Sequence, residues 1–181
     1  MGGGVDLVVS YRSSKSFGER YEYVAISELL KKGYDVYKTL VDDQGIDCII
    51  RKAMCGKYVY VDLQIKARSK NCVPYDAGRF AGMDIKDPGD NYLFLFYSEW
   101  LDETWIIPSL DLIKLSSRNK GGKNIGKYHI MLSGISRKGP IKNAKYRLYE
   151  GDNGFLSLEN TIKKLSSCIN EEEGHTEVEE S

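Results

Sequence analysis

Four polar side chains carry the chemistry this 181-residue chain could do: Glu22, Asp47, Gln64 and Lys66. Asp47 follows a Gln44-Gly45 turn and opens an apolar run, Cys48-Ile49-Ile50. Gln64 and Lys66 end a long run of alternating character, 17 residues further on. Side chains alternate faces along a strand. Tyr60, Asp62, Gln64 and Lys66 therefore share one face, and Val59, Val61, Leu63 and Ile65 form an apolar stripe on the other. A hairpin turning at Cys55-Gly56-Lys57 folds Asp47 back beside Gln64. Two oxygen donors then sit beside an ammonium, a set that can hold a hard cation. The same spacing also suits a structural Asp47–Lys66 ion pair, because charged residues are rarely buried unless paired. Glu22 lies on a preceding helix, three residues after Glu19, and can point at the same sheet end.

The elements that must position these residues are legible from periodicity. Phe17, Tyr21, Val24, Ala25 and Leu29 recur at helical spacing over 16–32, with Ser16 and Glu19 as a capping box and Gly33 as the stop. Strands follow at 34–40, 46–51 and 58–67, with turn chemistry at Asp42-Asp43-Gln44-Gly45. A short helix is expected within 76–85. The aromatic run 92–97 reads as a central strand, 104–107 as its neighbour, and Pro108-Ser109 opens a helix through Leu115. Strands at 127–132 and 144–148 and an amphipathic helix at 155–169 complete the chain. The order predicts an α/β domain around a central mixed β-sheet flanked by helices, with a C-terminal β/α extension. Residues 1–15 form an N-terminal segment, 16–170 one domain, and 171–181 an acidic disordered tail.

Against this pattern the sequence resembles the PD-(D/E)xK nuclease superfamily, whose core is restriction-endonuclease-like. The resemblance rests on Glu22, the helix end Leu29-Leu30-Lys31-Lys32-Gly33, Gly45-Ile46-Asp47, and Gln64-Ile65-Lys66. It covers 17–68 best. The Gln-x-Lys form resembles Mrr-like restriction enzymes and some homing endonucleases, and the helix glutamate is similar to archaeal Holliday junction resolvases. The proline of the family name is absent, and Gln64 replaces the second carboxylate. The resemblance implies a metal-dependent endonuclease acting on DNA, with Mg²⁺ as cofactor and Mn²⁺ able to substitute. It implies Asp47 as main metal ligand, joined by Gln64 and the Ile65 carbonyl. Glu22 would hold a second metal or a metal-bound water, and Lys66 would orient the attacking water. An uncharged Gln64 lowers the expected affinity unless Glu22 or Asp62 compensates. The resemblance also implies a homodimer. The alternative is a catalytically weak or inactive nucleic-acid-binding module on the same fold.

The charge distribution fits a phosphate-bearing partner. Lys and Arg total 26, as do Asp and Glu, so the net charge is zero. Six glutamates lie in the last eleven residues, leaving 26 basic against 20 acidic residues over 1–170, a net of +6. Between Asp111 and Glu150, 38 residues contain no carboxylate and ten basic residues. Arg118, Lys120, Lys123, Lys127, Arg137, Lys138 and Lys142 are the expected nucleic-acid contacts, with Tyr128 and Tyr146 interleaved. A solvated basic face is the plainer alternative. DNA is the partner the resemblance implies; the residues themselves do not separate it from RNA. The acidic tail serves solubility, or competes for the basic block.

Other classes are excluded or weakened. No apolar run reaches 18 residues, so no transmembrane helix and no membrane partner are expected. No secretory signal is expected, and Asp6 stands where a myristoylation signal wants Ser or Thr. Four cysteines without zinc-like spacing point to a reduced, cytoplasmic protein. Gly121 to Lys127 nearly matches a phosphate-binding loop, but Tyr128 stands at the Ser/Thr position and a strand is expected to follow. His129 is expected to be a sheet histidine.

Overall fold

The computed structural model describes residues 14–40 and 45–174. Helix α1 (Ser14–Lys31) leads into strand β1 (Asp35–Lys38), then β2 (Cys48–Met54) and β3 (Lys57–Arg68). Cys55 and Gly56 both take positive φ, 50° and 82°, as a two-residue type I′ hairpin requires. That turn sets Met54 against Lys57 and Cys48 against Leu63. The apolar stripe of β3 is buried as its alternation demands: Val59, Val61, Leu63 and Ile65 pack with Ala25 and Leu29 of α1 and with Leu158 and Ile162 of the last helix, α3 (Asp152–Gly174). Each such side chain contributes about 1.5–3 kcal/mol by leaving water.

Strand β4 (Arg79–Met83) leaves the sheet, and β5 (Tyr92–Ser98) returns to it parallel to β3; β6 (Glu103–Pro108) then pairs antiparallel with β5. The resulting order is β1-β2-β3-β5-β6. This is the expected central mixed sheet with helices against it. Helix α2 (Ser109–Leu115) begins at the predicted Pro108-Ser109 step. Strands β7 (Ser117–Arg118) and β8 (Tyr128–Met131) join β4 in a small sheet of order β4-β8-β7. Phe80, Met83, Tyr128 and Ile130 of that sheet pack on Tyr92, Phe94 and Phe96 of β5, making a second core on the face opposite α1 and α3.

Three local expectations need correction. The segment 76–85 is not a helix: a 3-10 turn at Pro74–Asp76 precedes β4, which pairs with β8. Gly78 lies flush on Ser133, where any Cβ would fall 2.5 Å from its carbonyl oxygen, and tertiary pairing overrides local propensity. The segment 144–148 is not a strand but a 3-10 helix, Ala144–Tyr149, which buries Tyr146. The hairpin of β9 (Ser133–Ser136) and β10 (Gly139–Lys142) is absent from the sequence reading. Its short, glycine-containing strands carry no apolar alternation. Helix α3 is longer than its periodic stretch and runs through Gly174. Residues 1–13, the Asp42-Asp43-Gln44 turn and the tail from 175 lie outside the described residues. No helix among the described residues is long and apolar enough to cross a membrane.

Candidate active site

The site forms where β2 stops and β3 continues. Asp47 extends the ladder by one rung, its N–H donating to the Leu63 carbonyl at 2.9 Å. Its own carbonyl accepts the Thr39 N–H at 3.3 Å and the Thr39 hydroxyl at 3.2 Å. With the backbone fixed, the Asp47 carboxylate reaches past the end of β2 and accepts the Ile65 N–H at 2.5 Å. Such a charge-assisted bond contributes roughly 1.5–3 kcal/mol. In an antiparallel ladder the N–H and C=O of a residue point the same way. The Ile65 carbonyl therefore lies on the same open edge as the carboxylate.

Gln64 stands opposite Asp47 when the Cys48–Leu63 register is carried one residue on. It is only 6% exposed, and its Oε1 is buried with no hydrogen-bond partner among the described residues. An unsatisfied buried acceptor costs about 1–3 kcal/mol. Its amide lies under Gly45, whose φ is 74° and whose carbonyl accepts the Tyr92 hydroxyl at 3.0 Å. A Cβ on Gly45 would lie 2.7 Å from Gln64 Nε2.

Lys66 is half-buried, two residues further along the same face and about 7 Å away along the strand. Among the described residues it forms no ion pair, so the structural Asp47–Lys66 pair that spacing permits is not made. Asp62 precedes Gln64 on this face and accepts the Asn91 side-chain amide at 3.2 Å. Burial raises its carboxyl above the ordinary value.

Glu22 has a partner of its own beside the site. It accepts a hydrogen bond from Lys38 Nζ at 2.8 Å, and that bond raises the Lys38 ammonium. Lys38 pairs with Cys48 across β1 and β2. Burial pushes the Cys48 thiol up to about 12; Asp47 and Glu22 add to the shift and Lys38 opposes it. Glu22, Lys38 and Asp47 thus all act on the start of β2, with Lys38 neutralising Glu22. Sequence reasoning missed Lys38, for which the register of β1 carries the signal. It names Gly45 in a turn and a motif but not its packing on Gln64.

The donors available to a metal are the Asp47 carboxylate, Gln64 Oε1 and the Ile65 carbonyl, hard oxygens that suit Mg²⁺. The unpartnered Gln64 oxygen fits such a role. The set carries one formal charge: no group of three or more His, Cys, Asp or Glu among the described residues could hold a metal.

The small sheet packs on the face of the main sheet that carries Gln64 and Lys66. Asp62, Gln64 and Lys66 neighbour Tyr92, Phe94 and Phe96 in the parallel register, and these aromatics carry the β4-β8-β7 sheet. Arg118 stacks at 4.6 Å over the Tyr128 ring and donates to its hydroxyl. Lys120, Lys123 and Lys127 are exposed in the connection to β8. Arg137 and Lys138 are exposed at the β9–β10 turn; the Lys142 side chain lies outside the described residues. The glycine-rich segment is followed by β8 rather than a helix, as expected. His129 lies within β8.

No family model matches the chain, and no curated protein matches it. Among solved structures it is similar to a bacterial homing endonuclease, at 17% identity over 87% of this chain and 97% of that one, TM-score 0.49. It is also similar to a nuclease from a fusselovirus, at 15% identity over 87% of this chain and 94% of that one, TM-score 0.46.

Proposed function

We propose that this chain is a metal-dependent endonuclease that hydrolyses phosphodiester bonds in DNA. The observation that carries the reading is the buried Gln64 oxygen, unpartnered among the described residues, on the residue that stands opposite Asp47 in register and precedes Ile65, whose N–H the Asp47 carboxylate accepts. Asp47, Gln64 and Ile65 would hold Mg²⁺, or Mn²⁺ in its place. The bound ion supplies charge at the scissile phosphate and lowers the pKa of a water. Asp47 is held for this by its backbone bonds to Leu63 and Thr39. Lys66, without a carboxylate partner, orients the attacking water and offsets phosphate charge. Arg118, Lys120, Lys123, Lys127, Arg137 and Lys138, with Lys142, hold the nucleic-acid backbone. Glu22 joins as a ligand to a second metal or a water when Lys38 releases it. Cutting both strands calls for two sites, which a homodimer would provide.

A second reading has its own support. The Glu22–Lys38 pair at 2.8 Å engages the Glu22 carboxylate, so that among the described residues the Asp47, Gln64 and Ile65 donor set carries a single charge, which favours a nucleic-acid-binding module without turnover. Purified protein with Mg²⁺ or Mn²⁺ is tested on supercoiled, linear, branched and single-stranded DNA and on RNA. Cleavage that falls about 10²-fold or more in Lys66→Ala supports the enzyme. Salt-dependent binding without cleavage supports the second reading. A chain that neither cuts nor binds any substrate sinks both.

A further inference from the structure

The face of β3 that ends in Gln64 and Lys66 begins with an open aromatic surface that the proposed chemistry does not use. Tyr58 and Tyr60 stand on this face, about 7 Å apart along the strand, at 53% and 52% exposure. Tyr37 of β1 lies on the same face at 47% exposure. Arg51 of β2 is placed among them: it is opposite Tyr60 in register, 4.5 Å from the Tyr58 ring and 5.2 Å from the Tyr37 ring. Its guanidinium is paired with Asp35 at 2.9 Å. The result is a flat, exposed platform of three rings and a guanidinium whose charge is already balanced.

We infer that this platform stacks unpaired bases of the nucleic acid cut at the site further along the same strand face, so that the substrate carries single-stranded nucleotides about 13–20 Å from the scissile bond, beyond Asp62. The inference rests on the nuclease reading and narrows its substrate. Three observations select this occupant. The platform is continuous with the site, because Tyr58, Tyr60, Gln64 and Lys66 are alternate residues of one strand face. A nucleic-acid strand lying along β3 from Lys66 meets Tyr60 and then Tyr58. The Asp35–Arg51 pair cancels charge on the platform, so it offers π-surface and no phosphate hook; the phosphates are left to Lys66 and the basic loops. A duplex hides its base faces, whereas unpaired bases stack on sheet-borne aromatics two or three at a time. The area is also small. Three half-exposed tyrosines offer about 300 Å² together, well under the roughly 800 Å² per partner of a stable protein interface. That disfavours a second copy of this chain.

The test uses the full chain without divalent cations, and fluorescently labelled oligonucleotides, one single-stranded and one a matched blunt duplex. Wild type is expected to bind the single strand more tightly. The double variant Tyr58→Leu/Tyr60→Leu is expected to lose about 5- to 150-fold on the single strand per base unstacked and little on the duplex. The slope of log affinity against log salt stays at its wild-type value, because no phosphate contact is removed. Tyr58→Phe/Tyr60→Phe keeps the rings and keeps binding. The platform is overturned if the leucine variant binds the single strand like wild type, or if the phenylalanine variant loses as much as the leucine one. It is equally overturned if the leucine variant instead reduces the sedimenting mass, which would mean a second copy covers the face. Wild type that binds no oligonucleotide removes the nuclease reading along with it, whereas binding indifferent to both tyrosines removes the platform alone.

Discussion

Gly45 and Gln64 fit one another: with φ at 74°, Gly45 lies so close above the Gln64 amide that a Cβ would fall 2.7 Å from Nε2. Gly45→Ala therefore carries two costs. An L-residue in the left-handed region loses roughly 1–2 kcal/mol, and the amide of a buried glutamine must move. The expected result is an unfolding free energy lowered by at least that amount, read as a lower urea midpoint at unchanged slope, with cation affinity and cleavage falling together. A lowered midpoint with unchanged Mg²⁺ affinity by calorimetry would remove Gln64 from the ligand set.

Gln64→Glu places a second carboxylate beside Asp47 in a buried position. Burial and the like charge both raise its pKa in the folded state. An acid with a raised folded pKa lowers stability as pH climbs through its unfolded value near 4.3. Without metal, the variant should be less stable than wild type at pH 7 and closer to it at pH 4. With Mg²⁺ the order should reverse, and divalent affinity should rise about tenfold or more, on the order of one charge brought within contact distance. Thermal melts with and without Mg²⁺ at the two pH values read this directly.

Lys38→Met releases Glu22. The pair is partly exposed, so its loss should cost about 1 kcal/mol or less. Freed from its 2.8 Å partner, Glu22 can contribute charge to the site, and Mg²⁺ affinity should rise severalfold. Unchanged affinity would place Glu22 outside the metal site and strengthen the non-catalytic reading.

Glu159 on α3 joins the helix to the sheet. It accepts a hydrogen bond from Lys52 at 2.7 Å and another from Tyr34. Burial works to raise its carboxyl, but these bonds outweigh it and hold the pKa below the usual value. A depressed folded pKa gives stability that is complete above the unfolded value and lost as pH falls through the folded one. Glu159→Gln should thus be less stable than wild type at pH 7. The gap should close below about pH 4, measured by urea unfolding across pH. A gap independent of pH would show that packing, not charge, is what the substitution removes.

Much of the site is local in origin and was visible before any fold. Alternation along Val59–Ile65 assigns one face to the core and the other to Asp62, Gln64 and Lys66. The Cys55-Gly56 turn brings Asp47 opposite Gln64, because a hairpin's turn sets its register. Segments without such a pattern were misread. The 144–148 stretch resembles a strand in composition but coils into a 3-10 helix that buries Tyr146, and only Glu150, just beyond it, bridges to Trp105 on the β6 edge. The glycine-containing β9 and β10 have no periodicity to announce them.

By itself, then, the sequence determined the β2–β3 hairpin, the face on which the polar residues stand, and the separation of a basic body from an acidic tail. These follow from side-chain alternation, turn residues and charge count, all short-range or additive. Tertiary structure alone decided three things. Glu22 is held by Lys38, because the packing of α1 on the sheet sets which β1 side chain it meets. The Gln64 side chain is buried with its amide nitrogen under Gly45, whose carbonyl is held by the Tyr92 hydroxyl of β5. The tyrosine platform stays open on the site's sheet face, because among the described residues the small sheet packs on β5 and β6 and not on Tyr37, Tyr58 and Tyr60. Each depends on contacts between elements far apart in the chain, which no local pattern encodes.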